Sequence, residues 1–161
     1  MTIILFGVTG CGKTTIAKLL AEKLNWQFFD ADDFHPASNV EKMRNGIPLT
    51  DEDRKGWLES LRLKIVESAE AKTDITLACS ALKVAYRIFL TGENDVKFVF
   101  LKADSELVKK RLENRKNHFM NPKLIDSQFT TLETFGEIDL ELDSTLHAES
   151  LVSEIIKSFE L

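Results

Sequence analysis

Several features are scarce in this 161-residue sequence, and each scarcity excludes a class of protein. Two cysteines, Cys11 and Cys79, cannot form the disulfide framework of a small secreted domain, which favours a reducing compartment. The net charge of −5 disfavours a binding surface for nucleic acids or anionic membranes, because both repel an acidic protein. No apolar run approaches the roughly 20 residues of a membrane-spanning helix, and the N-terminus lacks the basic segment of a signal peptide. We therefore expect a cytoplasmic protein with no nucleic-acid partner and no membrane partner.

Repeats, linkers and low-complexity stretches are also absent, and the length suits a single domain over residues 1–161. Short apolar runs alternate with helical patterns from one end of the sequence to the other. This alternation predicts an α/β fold of three layers, α/β/α, with a five-stranded parallel sheet in the middle. The predicted strands are Thr2–Phe6, Gln27–Asp30, Asp74–Cys79, Val96–Lys102 and Glu137–Leu142. The predicted helices cover about Thr14–Leu24, Asp51–Ala71, Lys83–Leu90, Asp104–Lys116, Pro122–Glu133 and Ala148–Phe159.

A phosphate-binding motif follows the first predicted strand. Residues 7–14, Gly-Val-Thr-Gly-Cys-Gly-Lys-Thr, match the P-loop pattern G-x-x-x-x-G-K-[ST] between a strand and a helix, the context that makes the pattern specific. Glycines allow successive main-chain N–H groups to face phosphate oxygens at the start of the helix. Lys13 is expected to reach the β- and γ-phosphates of ATP, and the Thr14 hydroxyl to bind Mg²⁺. The predicted nucleotide-binding residues are Gly7, Val8, Thr9, Gly10, Cys11, Gly12, Lys13, Thr14 and Thr15.

An acidic segment follows the second predicted strand, Asp30-Ala31-Asp32-Asp33-Phe34-His35-Pro36. Its three carboxylates repel one another unless a cation offsets their charge, and beside a P-loop that cation is Mg²⁺. Asp30 is the predicted metal partner, since no aspartate ends the third strand. A carboxylate here could also take the proton of an attacking hydroxyl, and Asp32 is preferred to Asp33 as this catalytic base. The alternative is an acidic N-capping cluster for a following helix.

The acceptor for the phosphoryl group is expected to bind in about residues 32–60, because nothing else in the chain can cover the γ-phosphate. A cation in this pocket would suit an acceptor that bears a carboxylate or phosphate. For most of the charged residues in this segment, a solvated helical face is the simpler interpretation. Ser80 could instead cap the helix that follows it. For His35, a structural role is nearly as well supported as a role in binding. Trp57 is predicted to lie in the core. The candidate acceptor-binding residues are Asp32, His35, Lys42, Arg54, Ser80, Lys83, Arg87 and His118.

A basic stretch over residues 109–118 is unusual in an acidic protein. The helix dipole could account for basic residues at the end of the helix, but not for the whole stretch. A mobile, arginine-bearing lid over about residues 111–130 accounts for it better, since one arginine on the transferring group contributes a factor of about 10³–10⁵ in rate. Closure of a lid would also exclude water. Arg111 and Arg115, one turn apart, are the catalytic candidates.

Taken together, these segments resemble the gluconate kinases. The resemblance is carried by the P-loop, by Asp30–Pro36, by Ser38–Met43 and Gly46–Arg54, by Cys79-Ser80-Ala81-Leu82-Lys83, by Arg115–Phe119 and by Ser127-Gln128-Phe129. It implies transfer of the ATP γ-phosphate to the 6-hydroxyl of D-gluconate, in a P-loop fold similar to nucleoside monophosphate and shikimate kinases. It also implies a homodimer.

On this resemblance, the hydroxyls of gluconate are expected to meet Asp32, Asp33 and His35. Its carboxylate is expected to meet a cation among Arg54, Lys83 and Arg87. Three alternatives remain: a kinase of this fold with another acceptor such as shikimate, a module that binds ATP without transfer, and a kinase acting on nucleic-acid ends. The net charge of −5 disfavours the last of these.

Overall fold

The computed structural model of the chain describes residues 1–115 and 121–161. Five strands form one parallel sheet in the order β2-β3-β1-β4-β5, which confirms the predicted architecture. The strands are β1 (Thr2–Phe6), β2 (Gln27–Asp30), β3 (Ile75–Ala78), β4 (Val96–Lys102) and β5 (Leu140–Asp143). The last strand begins three residues later than predicted, after a turn in which Gly136 has a φ of 77°.

Seven α-helices lie in the described part of the chain, and all but one of them correspond to a predicted helix. They are α1 (Lys13–Leu24), α2 (Ala37–Arg44), α3 (Asp51–Glu70), α4 (Val84–Thr91), α5 (Ser105–Glu113), α6 (Ile125–Thr131) and α7 (Ala148–Ser158). Helix α2 is missing from the prediction, as is the 3-10 helix over Ala31–Phe34 that precedes it. The predicted helix over 122–133 is divided into a 3-10 helix, Pro122–Leu124, and α6. None of the described helices is both long and apolar enough to cross a lipid bilayer.

The central strand β1 explains why the sheet is covered on both sides. Ile3 and Leu5 point to one face and pack with residues of α1 and α7, whereas Ile4 and Phe6 point to the other face and pack with α3 and α4. Successive strand residues face opposite sides of a sheet, so a strand that is apolar throughout must be buried on both. Every residue of β1 is buried accordingly.

Helix α3 begins at a capping box that orients the segment preceding it. The Thr50 hydroxyl accepts a hydrogen bond from the N–H of Asp53, and the Asp53 carboxylate accepts one from the N–H of Thr50. This reciprocal pair satisfies two N–H groups that the first turn of a helix leaves free. It also fixes the orientation of the Asp53 main chain, which bears on the pocket described below.

Candidate active site

A pocket opens at the carboxyl ends of β1, β2 and β3, where ligands of such sheets bind. Residues 7–14 leave β1 at this edge, Asp30 ends β2, and Ser80 follows β3. The pocket brings together eleven of the predicted site residues: Thr9, Gly10, Gly12, Lys13, Thr14, Asp30, Asp32, His35, Arg54, Ser80 and Arg115. Motifs up to about 100 residues apart in the sequence therefore share one site.

The main chain of the P-loop takes the form that its glycines allow. Gly7, Gly10 and Gly12 have φ angles of 143°, 77° and 105°, which only glycine adopts readily. At Gly7 a side chain would also come within 2.8 Å of the Leu101 carbonyl oxygen. The Lys13 ammonium donates hydrogen bonds to the carbonyl oxygens of Gly7, at 3.1 Å, and Val8, at 2.8 Å. Its charge is therefore held at the inner edge of the loop, where phosphate would bind.

The remaining predicted nucleotide-binding residues surround the loop. Val8 and Cys11 are buried in the core, so their side chains anchor the loop from below. Thr15 is exposed and lines a second cleft on the other side of the loop. That cleft lies between α5 and the turn after β5, and its other lining residues include Arg111, Asn114, Ser144, Leu146 and His147.

Thr14 and Asp30, the predicted metal partners, are in direct contact. The Thr14 hydroxyl donates a 2.8 Å hydrogen bond to one oxygen of the Asp30 carboxylate, and the N–H of Asp32 donates a 3.0 Å bond to the other. Asp30 thus also caps the 3-10 helix, the alternative function considered for this acidic segment. Hard oxygen donors of this kind suit Mg²⁺. The described residues hold no group of three or more His, Cys, Asp or Glu that could bind a metal alone. A metal ion here would take its other ligands from phosphate and water.

Asp32 has the electrostatics of a general base. Its burial, reinforced by the charges of Asp30 and Asp33, raises its pKa to about 6, while Lys13 and Arg115 act in the opposite direction. A carboxyl group whose pKa lies close to neutrality can both accept and release a proton at physiological pH. Asp33, by contrast, is exposed and does not line the pocket.

His35 and Trp57 form one wall of the pocket. Their rings are stacked with centroids 4.4 Å apart and an interplanar angle of 9°. Trp57 is only 2 % exposed, and its indole N–H donates a 2.7 Å hydrogen bond to the Ala31 carbonyl oxygen, so it belongs to the core as predicted. Burial, together with the positive charge of Arg54, lowers the pKa of His35 to about 4. The imidazole is therefore neutral at physiological pH.

Arg54 is the predicted acceptor-binding cation that lines the pocket. Its guanidinium donates a 3.3 Å hydrogen bond to the Tyr86 hydroxyl, which in turn donates to the Asp51 carboxylate. The Lys83 ammonium binds the same Asp51 oxygen at 2.8 Å and does not line the pocket. Lys42 binds the Asp53 carboxylate at 2.8 Å and is likewise outside the pocket lining. Both lysines are thus engaged by carboxylates at the N-terminus of α3.

The prediction that Arg87 contacts the acceptor is wrong. Its side chain is 0 % exposed and stacks on the Phe6 ring, with the guanidinium carbon 4.6 Å from the ring centroid. Its N–H groups donate to main-chain carbonyl oxygens on two segments, residues 81–82 and residues 133–135. Lys83 does not share a helical face with Arg87, because α4 begins only at Val84. Arg87 therefore joins two loops inside the protein.

Ser80 and the two lid arginines differ in part from the prediction. Ser80 lines the pocket, but it does not cap α4, whose N-cap position is Lys83. The Arg111 guanidinium donates to the carbonyl oxygens of Cys11, at 3.1 Å, and Ser144, at 2.6 Å, so it lies behind the P-loop in the second cleft. Arg115 lines both the pocket and the second cleft. His118 and the rest of residues 116–120 of the predicted lid lie outside the described residues.

Gln128 is a pocket residue that the sequence prediction did not select. Its side-chain oxygen accepts a 2.7 Å hydrogen bond from the main-chain N–H of Thr9, and this bond connects α6 to the P-loop. The only signal for it is its place in the Ser127-Gln128-Phe129 motif. Three apolar residues, Met43, Leu49 and Leu124, form a small separate core that also lines the pocket. It connects α2 and the loop after α2 to the 3-10 helix that precedes α6.

Comparisons with known proteins extend over nearly the whole chain. The family model described as shikimate kinase matches residues 9–158. A probable gluconokinase of Dictyostelium discoideum is 40 % identical, over 98 % of this chain and 83 % of that protein. The gluconokinase of Gluconobacter oxydans is 38 % identical, over 98 % and 90 %. The thermoresistant gluconokinase of Escherichia coli is 37 % identical, over 96 % and 90 %.

Solved structures of a sugar kinase and a gluconokinase superpose closely on this chain. A sugar kinase from Janibacter superposes with a TM-score of 0.93 at 38 % identity, covering 99 % of this chain and 94 % of that one. A gluconokinase from Sinorhizobium meliloti superposes with a TM-score of 0.86 at 32 % identity, covering 99 % and 91 %. The shikimate kinase of Aquifex aeolicus, at 21 % identity, 99 % and 96 % coverage and a TM-score of 0.63, shares the fold.

Proposed function

Since this chain belongs to the gluconokinase family, we propose that it transfers the γ-phosphoryl group of ATP to the 6-hydroxyl of D-gluconate, giving 6-phospho-D-gluconate. One observation carries the proposal from the structure. Lys13 of the P-loop, the half-buried Asp32 carboxylate with its pKa near neutrality, and Arg54 line the same pocket. These three groups serve the phosphate, the attacking hydroxyl and the acceptor's own carboxylate.

The triphosphate of ATP lies on the main-chain N–H groups of residues 12–15, at the start of α1. Lys13 leaves its carbonyl partners in the loop and binds the β- and γ-phosphates. Thr14 and Asp30 would hold Mg²⁺, and the ion would neutralise charge on these phosphates. The adenine is proposed to lie in the second cleft, beside Ser144, Leu146 and His147 in the turn after β5.

In the transfer step the oxygen of the 6-hydroxyl forms a bond to the γ-phosphorus as the bond from that phosphorus to the β,γ-bridging oxygen breaks. The hydroxyl proton passes to Asp32, and ADP carries away the electron pair of the broken bond. Lys13 and Arg115 stabilise negative charge on the transferring group, because both side chains line the pocket. Asp33 and Arg111 have no direct part, since neither lines this pocket.

Of the cations predicted for the acceptor's carboxylate, Arg54 is the best supported. It lines the pocket, whereas Lys83 is paired with Asp51 outside it and Arg87 lies in the interior. A guanidinium presents two parallel N–H groups, which match the two oxygens of a carboxylate. His35 and Ser80 are left to bind hydroxyls of the acceptor.

We further propose that the enzyme works as a homodimer in the cytoplasm and acts on no nucleic acid. The dimer rests on the sequence resemblance. The location is supported by two free, buried cysteines and by the need for ATP. Light scattering during size exclusion tests the dimer, and a salt-sensitive association with oligonucleotides would contradict the last point.

The decisive experiment is an assay of the purified protein with ATP, Mg²⁺ and a panel of sugar acids, with shikimate included because of the family model. We expect turnover of gluconate. If another member of the panel is phosphorylated and gluconate is not, the proposal that gluconate is the substrate is refuted. Lys13→Met should abolish transfer while the thermal unfolding curve stays unchanged. Activity within tenfold of the wild type would show that Lys13 does not have the proposed function. Lys18→Met, on the exposed side of α1, is the matched control.

A further inference from the structure

Asn39 is a buried polar residue next to the pocket wall that His35 and Trp57 form, and the proposed transfer step gives it no function. It lies on α2 and is 2 % exposed. Its side-chain nitrogen donates a 2.8 Å hydrogen bond to the main-chain carbonyl oxygen of Asp53 and lies 3.3 Å from Nδ1 of His35. Because Asp53 is part of the capping box of α3, this anchor is itself fixed.

These two contacts determine which nitrogen of His35 carries the hydrogen. A carbonyl oxygen can only accept, so the Asn39 atom that faces Asp53 must be the nitrogen of the amide. An amide NH₂ group can only donate, so its second hydrogen makes Nδ1 of His35 the acceptor. In a neutral imidazole the hydrogen must then reside on Nε2.

The surroundings of His35 favour this neutral form. The ring is stacked on Trp57, and the charged group that acts on it is Arg54, which disfavours a second positive charge nearby. Nε2 has no hydrogen-bond partner among residues 1–115 and 121–161, and His35 lines the pocket. Its N–H is thus the polar group of this wall that remains for a ligand.

We propose that Asn39 is a positioning residue that holds His35 in the Nε2–H tautomer, so that the acceptor site presents a neutral hydrogen-bond donor to an oxygen of the substrate. The identity of that substrate as a polyhydroxy acid rests on the proposed function. With Asp32 as an acceptor and His35 as a donor, the pocket can bind two hydroxyl groups in complementary ways. A donor fixed in this way favours a substrate with an oxygen at this position over a deoxy analogue.

The tautomer can be measured without any substrate. In protein labelled with ¹⁵N-histidine at pH 7.5, we expect Nδ1 of His35 to give a pyridine-like signal and Nε2 a pyrrole-like signal, assigned by their loss in His35→Gln. The reverse pattern in the wild type would overturn the proposal. This result stands whether or not gluconate is turned over, so a failed substrate assay would refute the proposed function alone.

Variants of Asn39 test the consequence. In Asn39→Asp the carboxylate can only accept, so Nδ1 must carry a hydrogen, and the pyridine-like signal of Nδ1 should disappear. We expect KM for gluconate to rise by about tenfold or more, the loss of one good hydrogen bond, while KM for ATP changes by less than about twofold. Asn45→Asp, at the exposed C-cap position of α2, is the charge-matched control and should match the wild type. Equal KM values for gluconate in the wild type and in an Asn39→Asp protein whose Nε2 signal has become pyridine-like would also overturn the proposal. If Asn39→Asp does not fold, or if both nitrogens of His35 carry a hydrogen in it, the wild-type spectrum decides.

Discussion

The hydroxyl of Thr14 donates a hydrogen bond of 2.8 Å to the Asp30 carboxylate, across the gap between the start of α1 and the end of β2. The second oxygen of the same carboxylate accepts the N–H of Asp32, the proposed base. The proposed metal partners and the base are therefore connected through one side chain. No aspartate follows β3 directly, so the metal site that we propose depends on Thr14 and Asp30.

The first prediction concerns this contact. Thr14→Val keeps the shape of the side chain but removes the hydroxyl, whereas Thr14→Ser keeps the hydroxyl. We expect the Mg²⁺ concentration for half-maximal rate to rise about 10–100-fold in the valine variant and to change little in the serine variant. A metal titration of the initial rate at saturating ATP measures it. Equal behaviour of the two variants would show that the hydroxyl does not serve the metal.

The second prediction concerns Asp32. Asp32→Asn removes the proton acceptor without changing the shape, and we expect kcat to fall by a factor of about 10²–10⁴. A base must be ionised to work, and burial raises the pKa of Asp32 to about 6. In the wild type kcat/KM should therefore be flat above about pH 6 and fall tenfold per pH unit below it. A profile that stays flat down to pH 4, near the ordinary value of an aspartate, would contradict this assignment.

The third prediction concerns the carboxylate of the acceptor. Arg54→Met removes the guanidinium, and we expect KM for gluconate to rise about 100-fold, since charge-assisted hydrogen bonds contribute about 3 kcal/mol at most. Gluconamide lacks the negative charge, so its turnover should change far less. Lys83→Met is the control, because Lys83 is bound to Asp51 outside the pocket. If Lys83→Met impairs gluconate more than Arg54→Met does, the two assignments are reversed.

The fourth prediction concerns the buried arginine. Arg87→Met leaves the carbonyl oxygens of Ala81, Leu82, Glu133 and Phe135 without their donor, and the first two belong to buried residues. We expect the free energy of unfolding to fall by about 3 kcal/mol, or about 10 °C in melting temperature for a chain of this size. Differential scanning calorimetry measures this change. A loss of gluconate affinity at unchanged melting temperature would restore the original assignment of Arg87 to the acceptor.

Those parts of the fold that depend on local pattern follow from the sequence. Strands β1, β2 and β4 have the predicted bounds because their apolar runs end just before Gly7, at Asp30 and at Lys102. The P-loop is recognisable because its glycines, lysine and threonine are adjacent in the chain. The capping box at Thr50 is equally local.

The features that could not be predicted from the sequence depend on contacts between residues far apart in the chain. Helix α2 has only eight residues, two of them buried, and no side-chain cap, so its pattern is too weak to separate it from a polar loop. Arg87 has the chemistry of a substrate-binding residue, and only its contacts with residues 133 and 135 place it in the interior. Gln128 meets Thr9 across 119 positions of the chain. Neither contact leaves a periodic signal in the sequence.

The place of β1 in the middle of the sheet has a consequence for motion. Its two edges are hydrogen-bonded to β3 and β4. The start of the P-loop therefore cannot shift unless the hydrogen bonds to both neighbouring strands break. Admission of the acceptor and release of the product must then be accommodated at the periphery, where Met43, Leu49 and Leu124 form a core of only three buried side chains. Amide hydrogens around these three residues should exchange with solvent long before those of β1.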